Sequence, residues 1–188
     1  MANKGAPLER SICKRLSEWW EPGRDDIFWR STTSGARATT RRRKGRDTFG
    51  QHGDITATDP IGLPFLKAFA VEIKCGYNAK LDLLACFDRS SRQKFPLLCE
   101  WIDQAVRSRN GSQSHSWLVI FRRDRREPMC LFSDRAKEFH GNPVKCPSPG
   151  YLGELAVETQ MGFYVAYLTT LSHFLDAFDP DKIKEQFK

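Results

Sequence analysis

Ala68-Phe69-Ala70-Val71-Glu72-Ile73-Lys74 is the stretch that decides how this chain reads. An apolar run ends on an acid and a lysine two positions apart, the only acid-x-Lys triplet in the sequence. Residues two apart in a strand point the same way, so Glu72 and Lys74 share one face. Upstream, Gly53-Asp54-Ile55-Thr56-Ala57-Thr58 alternates weakly and reads as a second strand, with turn chemistry at 59–64 between the two. The expected arrangement is a hairpin of 53–58 with 68–74 that sets Asp54 against Glu72 and Lys74. Two carboxylates on neighbouring strands can hold a divalent cation, for which Mg2+ (or Mn2+) needs one or two carboxylates plus water and phosphate oxygens. The Ile73 backbone carbonyl is a possible third ligand. Lys74 is then positioned to orient or deprotonate a water, or to stabilise developing negative charge. The chemistry expected of such a site is phosphodiester hydrolysis.

Outward from this stretch, Leu8, Ile12, Leu16, Trp19 and Trp20 recur at helical spacing, predicting a helix over 7–20 that Pro22-Gly23 stops. Glu9 lies at the edge of its apolar stripe. From Ser31 to Asp47 no Val, Ile, Leu, Met, Cys or aromatic residue occurs, so this segment has nothing to bury and is expected to be a mobile loop. With Arg30 it carries Arg37, Arg41, Arg42, Arg43, Lys44 and Arg46 against one acid, Asp47. Such a run suits contact with a nucleic-acid backbone, and Ser31 can add a hydroxyl contact to phosphate. His52 can touch phosphate or metal, or be a surface histidine.

Leu97, Leu98, Trp101, Ile102 and Ala105 predict a second helix ending at Asn110-Gly111. Trp117 to Phe121 reads as a buried strand and Met129 to Phe132 as its return strand, with a short helix over 133–139. Phe163 to Leu168 is expected as the last strand. Thr170 then caps a helix over 171–178, and Asp179-Pro180 opens a final one. Residues 77–94 and 141–150 read as irregular. The tryptophans Trp19, Trp20, Trp101 and Trp117 fall on apolar faces and are assigned to the core. The element order gives an α/β or α+β sheet with helices on its faces.

Length suits a single domain over 1–188, with the basic loop at 30–48, a core over about 7–135 and a C-terminal strand and helix extension over about 150–188. No apolar run approaches the ~20 residues of a membrane span, so no membrane partner is expected. The N-terminus lacks a signal peptide's apolar stretch, which makes the cytoplasm the expected compartment. Six scattered cysteines, none three positions from another, argue against a paired-cysteine zinc site and are expected as free thiols. A net charge of +7 with a pI near 9.2 is compatible with DNA as a partner.

On Gly53-Asp54-Ile55, Glu72-Ile73-Lys74 and the helix-borne Glu9, the chain resembles the PD-(D/E)xK nuclease superfamily, with Gly53 where the superfamily's name has proline. The resemblance covers roughly the first two-thirds of the chain. It implies an α/β, restriction-endonuclease-like core with a central mixed β-sheet flanked by helices. It further implies that Asp54 and Glu72 bind metal, that Lys74 is catalytic and that Glu9 completes the site; Gln104 on the second helix either faces the site, as a glutamine often does in related nucleases, or is an ordinary exposed helix residue. The succession of helix-borne Glu, Ser/Arg-rich loop, Asp and Glu-x-Lys is similar to the Holliday-junction resolvase branch. Phe28-Trp29-Arg30-Ser31-Thr32-Thr33-Ser34-Gly35 is similar to segments of phage and prophage endonuclease-like proteins. The implied activity is a metal-dependent DNA endonuclease acting on branched or structured DNA as a homodimer, in a bacterial host cell if phage-encoded. The alternatives are a restriction- or packaging-associated nuclease or nickase on linear duplex, and a nucleic-acid-binding module that does not cut.

Overall fold

The computed structural model describes residues 5–31, 53–76, 81–90, 93–140 and 151–188, except the side chains of 151 and 152. A five-stranded mixed sheet has the order β3-β4-β5-β7-β6, built from Phe69–Cys75 (β3), Ser116–Arg122 (β4), Met129–Ser133 (β5), Tyr151–Thr159 (β6) and Gly162–Thr170 (β7). β3 and β4 are parallel and every other pairing in this sheet is antiparallel. A parallel pair needs a long crossover, and here the helices α3 (Ala85–Asp88) and α4 (Leu97–Ser112) lie within it. This is the α/β architecture with a mixed sheet between helices that the resemblance implies.

Alternation along β3 and β4 separates two cores. Phe69, Val71, Ile73, Leu118 and Ile120 join a cluster with Leu8, Ile12, Leu16 and Trp20 of α1 (Gly5–Trp20). Trp117, Val119 and Phe121 point the other way, onto Leu98, Trp101, Ile102 and Ala105 of α4. Trp20, Trp101 and Trp117 are buried as expected. The core expected over about 7–135 in fact continues through the C-terminal region. Leu171 and Phe174 of α5 (Leu171–Ala177), Phe178, and Ile183 of α6 (Pro180–Gln186) belong to the α1-side cluster. Strands β6 and β7 complete the sheet.

The expected hairpin is not formed. β2 (Ile55–Ala57) pairs antiparallel with β1 (Phe28–Arg30), making a separate two-stranded ribbon. One reason lies in α1. Ser17 Oγ donates to Cys13 O at 2.9 Å and accepts from Phe28 N at 2.9 Å, which pins β1 to that helix. Trp20 Nε1 donates to Ile61 O at 2.9 Å and draws in the segment after β2. The segment expected as a turn at 59–64 is a 3-10 turn, Pro60–Gly62, running into a short helix α2 (Leu63–Ala68). Proline in a helix's first turn costs nothing, because its missing N–H has no partner there anyway. Among the described residues no helix is long and apolar enough to cross a membrane.

Candidate active site

β3 is an edge strand, and an edge strand presents unpaired backbone groups. Asp54 occupies that edge. Its backbone N–H donates to Val71 O at 2.8 Å, and its carboxylate Oδ2 accepts from Ile73 N–H at 2.7 Å. Asp54 O in turn accepts from Ser31 N at 2.8 Å, so the ribbon is tied to the same edge. A residue's N–H and C=O leave a strand on the same side. The Ile73 carbonyl therefore faces the Asp54 side, where the sequence suggested a third ligand.

Gly53 makes this approach possible. It has φ of +86°, and a Cβ built there would stand 2.5 Å from Val71 O. A side chain cannot fit between Asp54 and β3, which gives a steric reason for glycine before this aspartate.

Glu72 and Lys74 share the α4 face of the sheet, in line with the period-2 expectation. Glu72 is 2% exposed, deep for a charged residue. Its Oε2 accepts from Lys74 Nζ at 2.9 Å and from Gln104 Nε2 at 2.6 Å, and its Oε1 accepts from Ser108 Oγ at 2.6 Å. Lys74 Nζ also donates to Gln104 Oε1 at 2.9 Å. The Gln104 amide thus closes a triangle with the ion pair. Gln104 and Ser108 are one helical turn apart on α4 and present one face to Glu72. Ser108 had no assigned role in the sequence; its spacing of four from Gln104 was the available signal.

Asp54 is pushed up to about 6, first by burial and then by the Glu72 charge, with Glu9 adding a smaller push. The Ile73 N–H bond and the Lys74 charge pull the other way without cancelling it. Negative charge is therefore in excess at this edge even with Lys74 present. Glu9, from α1, is ion-paired to Arg30 at 3.0 Å, although Arg30 Nε–H is not aimed for a hydrogen bond. Glu9 thus acts on Asp54 through its field, while its own carboxylate is engaged by Arg30. Ser31 is 8% exposed, with its backbone N–H on Asp54.

Four of the expected residues, Asp54, Glu72, Lys74 and Gln104, meet at one edge of β3, and the Glu9–Arg30 pair flanks them. Arg37, Arg41, Arg42, Arg43, Lys44, Arg46 and His52 lie outside the described residues. Among the described residues no three His, Cys, Asp or Glu side chains form a ready metal cage. The protein donors at the site are two carboxylates and a carbonyl. That donor set fits a hard cation which keeps several waters, as Mg2+ does, and the excess negative charge on Asp54 suits one.

No curated protein matches the chain. Among solved structures, Hjc of Archaeoglobus fulgidus, a Holliday junction resolvase from an archaeal hyperthermophile, is similar over 97% of this chain and 99% of its own, at 16% identity and a TM-score of 0.33. The family described as "Phage putative PDDEXK endonuclease" matches residues 1–185, and the chain belongs to that nuclease family.

Proposed function

We propose that this protein is a Mg2+-dependent (or Mn2+-dependent) DNA endonuclease that cuts branched or otherwise structured DNA. The observation that carries the hydrolytic reading is Asp54 clamped on the β3 edge beside the buried Glu72–Lys74 pair. Asp54, Glu72 and the Ile73 carbonyl would hold the cation, with Glu72 Oε2 exchanging one of its two present donors for it. When bound, the metal supplies charge neutralisation at the phosphate and a more acidic water. Lys74, freed toward the scissile phosphate or kept on Glu72, orients the water and offsets charge developing on the phosphoryl oxygens. Gln104 fixes where the lysine ammonium sits, since its amide bonds both partners of the pair. Ser108 holds Glu72 Oε1 and so sets the direction of Oε2. Glu9 supports the site electrostatically.

The basic segment from Arg30 to Arg46 supplies phosphate contacts, and affinity should fall steeply with salt. The branched-DNA preference rests on the sequence likeness to resolvases. Paired cuts across a junction need two active sites, hence a homodimer, acting in the cytoplasm of a bacterial host.

The test is a substrate panel of four-way junction, flap, nicked and linear duplex, each end-labelled, with purified full-length protein and Mg2+. Symmetric nicks in the junction with linear duplex spared support the reading. Equal cutting of linear duplex points to the restriction- or packaging-type alternative, and binding without cutting of any substrate points to a binding module.

A further inference from the structure

A cavity of about 560 Å3 opens between α1 and β1, on the outer side of the ribbon that delivers Asp54. One wall is Trp29, which is 45% exposed although its strand neighbour Phe28 is fully buried. The rest of the lining is polar. Its three carboxylates are all ion-paired, Asp25 with Lys14 at 2.9 Å, and Asp26 and Asp59 with the single charge of Arg24 at 2.9 and 2.8 Å, which leaves these five groups one negative charge in excess. Arg10, one helical turn before Lys14, lines the same cavity as these carboxylates but makes no direct ion pair among the described residues. With Arg10 counted the lining sums to zero charge, so the cavity offers an indole face, one guanidinium that makes no direct ion pair among the described residues, and a rim of hydrogen-bonding groups.

That combination fits a flat π system carrying a phosphate. An exposed tryptophan stacks on any base, and an arginine takes the adjoining phosphate. Position adds to the case. Trp29 pairs with Thr56, two residues along the ribbon from the Ser31–Asp54 bond, a separation of about 7 Å at ~3.3 Å per residue. The chain leaves Trp29 directly into the basic segment that begins at Arg30.

We propose that the Trp29 cavity holds an unpaired nucleobase of the bound DNA strand, stacked on the indole with its phosphate on Arg10. This deepens the nuclease reading, on which it rests for the identity of the strand: the preferred substrate is one that offers an unstacked base next to the cut. An intact blunt duplex offers none.

The experiment measures binding, in EDTA, of full-length protein to two probes: a single-stranded oligonucleotide carrying one 2-aminopurine, and a blunt duplex of the same length. Wild type is expected to quench 2-aminopurine. Trp29→Ala should weaken single-strand binding about tenfold, the order of one lost base stack, while duplex affinity stays within about twofold. Trp29→Phe, which keeps an aromatic face and guards against misfolding as the cause, should recover most of the loss. Arg10→Ala should weaken single-strand binding and lower its salt dependence by about one phosphate's worth. Unchanged single-strand affinity in Trp29→Ala, equal losses on both probes, or no quenching by wild type overturns the proposal. Cutting by wild type with Trp29→Ala binding normally removes the cavity reading and keeps the nuclease. Selective loss in Trp29→Ala without cutting under any condition removes the nuclease and keeps the cavity.

Discussion

Replacing Lys74 by methionine keeps the apolar stem and removes only the ammonium. In the folded protein that ammonium makes two bonds, one to Glu72 and one to Gln104, each 2.9 Å. The Lys74 and Glu72 side chains are 12% and 3% exposed, so solvent screens the pair little. The charge-assisted bond contributes roughly 1.5–3 kcal/mol and the bond to the amide about 1. Removing one partner of a buried pair costs about 3–5 kcal/mol because the other charge stays behind. Lys74→Met should therefore cost about 3–4 kcal/mol, which for a chain of this size lowers Tm by about 10 °C. Urea unfolding in EDTA measures it directly. The double variant Glu72→Gln/Lys74→Met should recover about 2 kcal/mol of the loss, since the neutral amide that replaces the Glu72 carboxylate can still accept from Ser108. A loss below about 1 kcal/mol, or strict additivity of the two substitutions, would refute the buried pair as the element that holds this edge together.

Other outcomes follow from the same geometry. Gly53→Ala places a methyl against Val71 O at a positive φ and should cost about 3 kcal/mol, combining left-handed strain with overpacking; a thermal melt unchanged within about 2 °C contradicts the close approach. Asp54 holds its proton more tightly when folded, rising from 3.8 to about 6, so its ionised form destabilises the fold above about pH 6. That penalty, on the order of 3 kcal/mol, fades as pH falls from about 6 toward 3.8. In EDTA at about pH 7.5, Asp54→Asn should accordingly be more stable than wild type, with the difference shrinking on acidification; a gap that widens toward about pH 4 reverses the sign and defeats the argument. Gln104→Leu should lower cleavage more than it lowers DNA affinity, because Gln104 positions Lys74; equal losses in both would assign it to DNA contact instead.

The parts of the site that local pattern could reveal were legible. Period-2 alternation put Glu72 and Lys74 on one face, and spacing revealed the helix over Leu97 to Ala105, while only the family resemblance pointed Gln104 on that helix toward them. Thr170 and Asp179 were readable as caps, and each side chain accepts from a backbone N–H as a cap should, His173 N and Asp181 N respectively. What failed was pairing. β1 and β2 are three residues each, too short for alternation to choose a partner. The choice was made by tertiary contacts, Ser17 holding Phe28 and Trp20 holding Ile61. Strand β6 was not read as a strand, although Leu155 and Val157 alternate with Glu154 and Glu158. Pro64 was taken for turn chemistry when it opens a helix. The Glu9–Arg30 pair joined two residues that the sequence had assigned to separate tasks, one to the site and one to DNA. Nothing in their separation along the chain announces that contact.

The central claim is that Asp54 on the β3 edge serves metal-dependent strand cleavage. The most direct measurement is nicking of labelled DNA by purified full-length wild type and Asp54→Asn, each with Mg2+ and with EDTA, alongside DNA binding by both. The account predicts cutting by wild type with Mg2+ alone, and no cutting by Asp54→Asn while its DNA affinity stays within a few-fold. Cutting that persists in EDTA, or in Asp54→Asn at the wild-type rate, would contradict it.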